Sequence, residues 1–419
     1  MKTIWIVNYY AMPPEYDVWG RHYEFAKNFI KAGYNVRVFA SGYIYGYGNE
    51  LVPEGQSYLN TEYSGVPYTL IKAPKYEGNG MQRMRSIFYF AYRMLKLRNE
   101  WEKPDIVYHN QRSPFDYPIV LMAKKLKVRY IAEAWDLWPH VFVTGGLISA
   151  KNPLMKLAYR YERKMYESAS DVIFTFPGGI DYLRMHKWTN ENHSGGKIDP
   201  RHVHYINNGL NLSEFYENAK RYTSDDEELN SKDKFKVIYL GSISLYNDVK
   251  KLIEAAELLQ DDSRIIFLLY GNGNQKDEMI KYVKERKIKN VKFKSDRIPY
   301  HDCAYIVSQA SLNIMNYIST AGKWGVSTGK MFQYMAAGKP ILCNVKLNYS
   351  ELEKNNCGKD IRINTPQEYA DAIRYFVNMP KDEYEEMCKN SKMAAKQFDY
   401  EALSKKMLAV IENAYNSID

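Results

Sequence analysis

Short apolar runs alternate with longer amphipathic stretches along nearly the whole chain, the pattern of parallel sheets covered by helices. In the first half these runs predict strands over 3–7, 35–40, 105–109, 130–134, 172–176 and 203–206, with helices between most of them. A second alternation predicts strands over 235–240, 265–270, 291–293, 312–315 and 340–343, and the tail over 366–419 reads as wholly helical. Between the halves lies a polar interval with Asp225, Asp226, Glu227 and Glu228, read as a solvated connection. The expected division is a first domain over 1–215, a linker over 216–234 and a second domain over 235–399. Both are α/β domains built on a doubly wound parallel sheet. Such sheets hold ligands beyond the carboxyl ends of their strands, so the expected active site is a cleft that the two domains face.

Three glycine-containing turns sit at strand ends of the second half. The segment 325–341, GVSTGKMFQYMAAGKPI, places Ser327, Thr328 and Gly329 before a helix whose unpaired first amides suit an anion, and Lys330 adds a full positive charge. Gly338 ends that helix and Pro340 opens the next strand. An ordinary helix-to-strand connection reads the same way. The turns Gly241-Ser242-Ile243-Ser244 and Gly271-Asn272-Gly273-Asn274 each follow a predicted strand. The latter lacks the third glycine of a dinucleotide fingerprint, because Lys276 stands there, which argues against a nicotinamide dehydrogenase. In the first half, the connection over 13–22 is long and mixed in charge and ends in Gly20, Arg21 and His22. The run Glu133-Ala134-Trp135-Asp136-Leu137-Trp138-Pro139 puts carboxylates at a strand end facing the expected cleft; a tryptophan-rich loop with acids capping a helix is the alternative.

Charge narrows the partners. Among 419 residues, 58 Lys and Arg exceed 49 Asp and Glu, a net charge of +9 that favours anionic ligands. Basic residues are spread along both halves with acids between them, which disfavours nucleic acid. The four cysteines, Cys303, Cys343, Cys357 and Cys388, show no CxxC or His-rich pattern, so neither a structural zinc site nor a disulfide framework is supported, and a reducing cytosol is the natural home. The first apolar run is too short for a signal-peptide core, and no run reaches membrane-spanning length. The expected location is cytoplasmic, with one qualification. A helix over 81–103 gathers Met84, Ile87, Phe88, Ala91 and Leu95 on one face and Arg85, Tyr89, Tyr92, Arg93 and Lys96 on the other. The basic, aromatic face suits the inner surface of an anionic membrane, or simply solvent. No Asp-x-Asp pattern stands at a strand end, so neither a metal nor any other cofactor is required.

The segments WGRHYEFA (19–26), EAWDLWP (133–139), INNGLNLSEF (206–215), YGNG (270–273) and KMFQYMAAGKPI (330–341), in this order, resemble the family 4 glycosyltransferases of the GT-B fold. The likeness is strongest to the bacterial members that build surface polysaccharides. It implies two Rossmann-like domains and transfer of a sugar, with retention, from a nucleotide diphosphate sugar, a UDP-sugar first of all. The second domain would hold the nucleotide, the first a lipid-linked or saccharide acceptor, and the last helix, over 400–419, would return to the first domain. On this reading Gly20, Gly241, Ser242, Gly271, Asn272, Ile298, Thr328, Gly329, Lys330 and Gln333 line the nucleotide site. Lys330 and Arg21 would neutralise phosphate charge, and Glu133 and Asp136 would orient sugar or acceptor hydroxyls. Two departures stand out. The family's paired glutamates fall on Gly325 and Gln333, and Ser242 replaces an arginine common in relatives. The amide of Gln333 can still hydrogen-bond a ribose hydroxyl but carries no charge. The alternative is therefore a nucleotide-binding partner or regulator that has lost transfer.

Overall fold

The computed structural model describes residues 2–16, 20–78, 80–191, 195–318 and 322–416. The chain forms two compact units, Met1–Asn207 with Tyr400–Asp419, and Asn208–Asp399.

The first unit contains β1 (Thr3–Val7), β2 (Asn35–Ser41), β3 (Tyr43–Ile44), β4 (Asn49–Glu50), β5 (Tyr58–Tyr63), β6 (Val66–Ile71), β7 (Ile106–Gln111), β8 (Arg129–Ala134), β9 (Asp171–Phe174) and β10 (Val203–Tyr205). Eight of them make one sheet in the order β10-β9-β8-β7-β1-β2-β6-β5. All pairings in it are parallel except β5 with β6. β1 is buried along its whole length, as a strand covered on both faces must be, which is why its apolar run is continuous. The strand order reverses direction between β1 and β7, and ligands of such sheets bind outside that switch point. The hairpin β5–β6 and the short pair β3–β4 were not expected from the sequence; β5, YLNTEY, is a half-exposed edge strand with no apolar run to betray it.

The helix Tyr400–Asn416 belongs to this unit. It buries Tyr400, Leu403, Met407 and Ile411 in a core shared with Ile4, Phe25 and Phe29, and its Glu412 takes the Lys2 ammonium and the Tyr34 hydroxyl. The helix Met81–Leu97 is rotated from the expected setting: Ser86, Ile87, Phe90, Ala91 and Met94 face inward. Phe88 is instead exposed, and Arg93, expected on the outer face, turns its guanidinium to the Lys72 carbonyl. Arg85, Tyr89, Tyr92 and Lys96 do lie outside. No helix among the described residues is long and apolar enough to cross a membrane.

In the second unit β11 (Phe235–Leu240), β12 (Ile265–Tyr270), β13 (Val291–Phe293), β14 (Leu312–Met315), β15 (Ile341–Cys343) and β16 (Gly358–Asp360) form a parallel sheet in the order β13-β12-β11-β14-β15-β16. Its switch point lies between β11 and β14. The interval expected as a linker is instead part of this unit. Leu212 and Phe215 of the helix Leu212–Arg221 are buried in its core. Asp226 caps the short helix Glu227–Asn230, Leu229 is fully buried, and the Lys294 ammonium bonds Asp226 at 2.8 Å and Glu228 at 2.6 Å. Asp226 and Glu228 are thus tied to β13's end, because Lys294 supplies a counter-charge that local sequence does not show, while Asp225 and Glu227 stay exposed.

Candidate functional site

Loops at the carboxyl ends of β11 and β12 touch backbone to backbone. A Cβ added at Gly271 would lie 2.1 Å from the Gly241 carbonyl oxygen, and one at Gly273 would lie 2.2 Å from that of Ile243. The YGNG glycines are therefore demanded by this close approach, which also brings the Ile243 amide to the Asn272 carbonyl at 2.9 Å. Ser242 and Asn272 stand exposed at the rim of the two turns. The Tyr239 hydroxyl donates to the Ser242 carbonyl at 2.6 Å and fixes the first of them.

Lys330 reaches this corner from the helix Gly329–Ala337. Its ammonium lies 5.0 Å from the centre of the Tyr239 ring, and a Cβ at Gly241 would meet its Nζ at 2.8 Å. Among the described residues it makes no ion pair, and burial pushes its pKa down to about 8. Thr328 is the N-cap of the helix but caps nothing with its side chain, so the amides of Gly329 and Lys330 keep the open donors of any helix start. The Tyr334 hydroxyl accepts from the Leu240 amide at 3.3 Å, which locks the helix to the end of β11. A positive charge, open amides and glycine turns thus share one edge of the second sheet. Gln333 lies on the buried face of the same helix, 2% exposed. Ile298 lines a cavity with Tyr222, Tyr270, Arg297, Pro299 and Tyr305, beside the Gly271 turn, whose amide donates to the Ser295 carbonyl of that lining at 3.1 Å.

In the first unit the structure corrects two assignments. Glu133 is fully buried, and its carboxylate accepts from Arg21 Nε at 2.9 Å and Nη2 at 2.7 Å, His22 Nε2 at 3.0 Å, Asn110 Nδ2 at 3.0 Å, Trp135 Nε1 at 2.7 Å and the Tyr108 hydroxyl. Burial alone would raise its pKa, but the Arg21 charge and the bonds from His22 and Tyr108 outweigh it and hold the group well below the usual carboxylate range. Arg21, 2% exposed, spends its remaining donors on the carbonyls of Asn207 at 2.5 Å and Ile206 at 3.0 Å. Neither residue is free to meet a phosphate or a hydroxyl; together they clamp β8, the first helix and the end of the unit. His22 completes the clamp as a neutral ring: its Nδ1 accepts from Asn8 at 3.0 Å, and burial lowers its pKa. Gly20 is buried at the start of that helix, where its carbonyl accepts from Glu24 at 2.8 Å; its neighbours over 17–19, which include the expected Trp19, lie outside the described residues.

Asp136, by contrast, is 60% exposed and touches Arg112 Nη1 at 3.3 Å. Arg112, which no sequence pattern singles out, lies just past β7 with its guanidinium 4.4 Å above Trp135 and 5.1 Å from Tyr10. A lone arginine in the loop QRSP looks like any solvated side chain. Among the described residues no group of three or more His, Cys, Asp or Glu is arranged to hold a metal ion.

With these arrangements in place, comparison with known proteins gives a consistent answer. The family described as "Glycosyl transferases group 1" matches residues 221–413, and that described as "Glycosyl transferase 4-like domain" matches residues 20–193. No curated protein matches the chain. Among solved structures, a sucrose-phosphate synthase from Thermosynechococcus elongatus superposes with a TM-score of 0.70 at 16% identity, covering 100% of both chains. HepE of Anabaena, in complex with UDP and glucose, gives 0.66 at 14% identity over 99% of this chain and 100% of its own. WaaG, a glycosyltransferase involved in lipopolysaccharide biosynthesis, gives 0.65 at 15% over 97% and 99%. At such identities the superpositions show the shared fold, and the two family matches between them run through most of the sequence. The chain belongs to the group 1, family 4-like glycosyltransferases of the GT-B fold.

Proposed function

We propose that this protein transfers a sugar from a nucleotide diphosphate sugar, a UDP-sugar in the first instance, to a lipid-linked or saccharide acceptor in the assembly of a bacterial surface polysaccharide. The observation that carries the reading is Lys330. A half-buried ammonium that pairs with no acid among the described residues, beside open helix amides and two glycine turns, suits a diphosphate and little else. Transfer with retention needs stabilisation of the charge that develops on the leaving diphosphate more than it needs a strong base, and Lys330 with the amides of Thr328 and Gly329 would supply it without a metal. The Anabaena protein's UDP favours uridine as the base. The exposed Arg85, Phe88, Tyr89, Tyr92 and Lys96 favour a peripheral stay at the inner face of the cell membrane, where a lipid-linked acceptor would wait.

Gln333 and Gly325 favour a second reading, a nucleotide-binding partner without transfer activity. Thermal denaturation with each nucleoside diphosphate tests both. A ligand at 100 times its Kd adds about 2.7 kcal/mol of stability. The absence of any shift overturns both readings. Release of nucleoside diphosphate from a panel of sugar donors, abolished by Lys330→Ala, supports the enzyme; a shift without release supports the partner.

A further inference from the structure

The first unit holds two arginines out of water, and only one of them is satisfied. Arg21 makes four hydrogen bonds to Glu133, Asn207 and Ile206. The side chain of Arg112 is only 12% exposed, yet among the described residues its guanidinium makes a single hydrogen bond, to Asp136 at 3.3 Å, and its Nε is buried with no partner. Its backbone is pinned: the Asp116 carboxylate accepts from the amides of Arg112 at 2.5 Å and Ser113 at 3.0 Å. Its guanidinium is also held close to two rings, 4.4 Å from Trp135 and 5.1 Å from Tyr10. Arg83 adds a second positive charge, its Nε donating to the Tyr10 hydroxyl at 2.6 Å and its guanidinium 5.2 Å from that ring. Two residues earlier, on the same face of β7, the Asn110 Oδ1 is likewise buried and without a partner.

We propose that this end of β7 is an oxyanion seat for the acceptor, with Arg112 its binding residue, so that the acceptor carries a phosphate or carboxylate beside its sugar. The proposal rests on the reading of the first unit as the acceptor side. A planar guanidinium held near two rings, with donors left over, can offer an oxyanion two parallel hydrogen bonds. Asp136, mostly exposed and weakly held, occupies the position that the ligand would take.

Calorimetric titration of the full chain, with UDP present to fill the nucleotide site, tests this with three probes: glucose 1-phosphate, glucuronate and glucose. At least one of the two anionic probes is expected to bind, and which one identifies the oxyanion. Arg112→Gln should weaken that binding about tenfold or more, the loss of a charge-assisted bond. Arg112→Lys should recover part of it, and Asp136→Asn should strengthen it. Lys330→Ala should leave it unchanged while weakening the binding of UDP. Equal binding of glucose and the anionic probes, no binding of either anion at millimolar concentration, or undiminished binding by Arg112→Gln with native circular dichroism would overturn the proposal. Failure of UDP to bind the unaltered chain bears on the proposed function instead, and the Arg112 comparison is read without it.

Discussion

The α-carbon of Gly271 faces the carbonyl of Gly241 so closely that a methyl group there would lie 2.1 Å from the oxygen. The two turns at the edge of the second sheet therefore exist only as a pair. Gly271→Ala should force them apart, with a φ of 124° adding backbone strain, and lower stability by about 1–3 kcal/mol. A fall in melting temperature with loss of nucleotide binding checks this; a native melting temperature would mean that the contact relaxes freely.

Glu133 is expected to be a pillar of the fold. Glu133→Gln leaves the Arg21 guanidinium buried without its counter-charge, at a cost of about 3–5 kcal/mol. Chemical denaturation followed by circular dichroism measures it. A variant of native stability and altered turnover would instead restore Glu133 to the chemistry.

The same residue sets an acid limit. Its folded pKa lies below its unfolded value of about 4.3. The stability it contributes is complete above that value and drains away as pH falls towards the folded pKa. Melting temperature measured below pH 4 should fall more steeply in the unaltered protein than in Glu133→Gln, because the variant has nothing there to titrate.

Lys330 gives the opposite sign. With a pKa of about 8 in the free protein, its charge is lost as pH rises through that value. UDP affinity should weaken by about tenfold between pH 7 and pH 9, one unit of pH above the pKa being a factor of ten. Lys330→Ala should bind weakly and show no such slope. A flat profile in the unaltered protein would exclude the ammonium from the phosphate site.

Gln333→Glu puts a carboxylate at a position 2% exposed. In the free protein it should lower stability by about 1–3 kcal/mol. If the ribose reaches this residue, UDP should restore part of that loss, so the variant's ligand-induced thermal shift should exceed that of the unaltered chain.

Much of this fold is written in apolar runs. β1 and β12 lie in sheet interiors, and a continuous hydrophobic stretch bounded by turn residues fits a doubly covered strand and little else. β5 and β16 escape because one is a half-polar edge strand and the other, Gly358-Lys359-Asp360, has no apolar residue. In the second unit the start of the helix Gly329–Ala337 and the glycine turns after β11 and β12 were legible because helix starts and strand ends have local signatures. Glu133 misled for a physical reason: a carboxylate at a strand end looks the same whether it faces solvent or an arginine 112 positions away. Arg112 was invisible because its meaning comes from Tyr10 and Trp135, which reach it from the ends of other strands.

The helix Tyr400–Asn416 has one more consequence, for synthesis. Ile4, Phe25 and Phe29 wait for Leu403, Met407 and Ile411 to cover them, and those residues are translated only after the whole of the second unit. Everything that the second unit needs is translated earlier. Chains emerge N-terminus first at about 5–20 residues per second, so the half that is begun first is the half that is sealed last. In the growing polypeptide its apolar flank stays open while the inserted half folds.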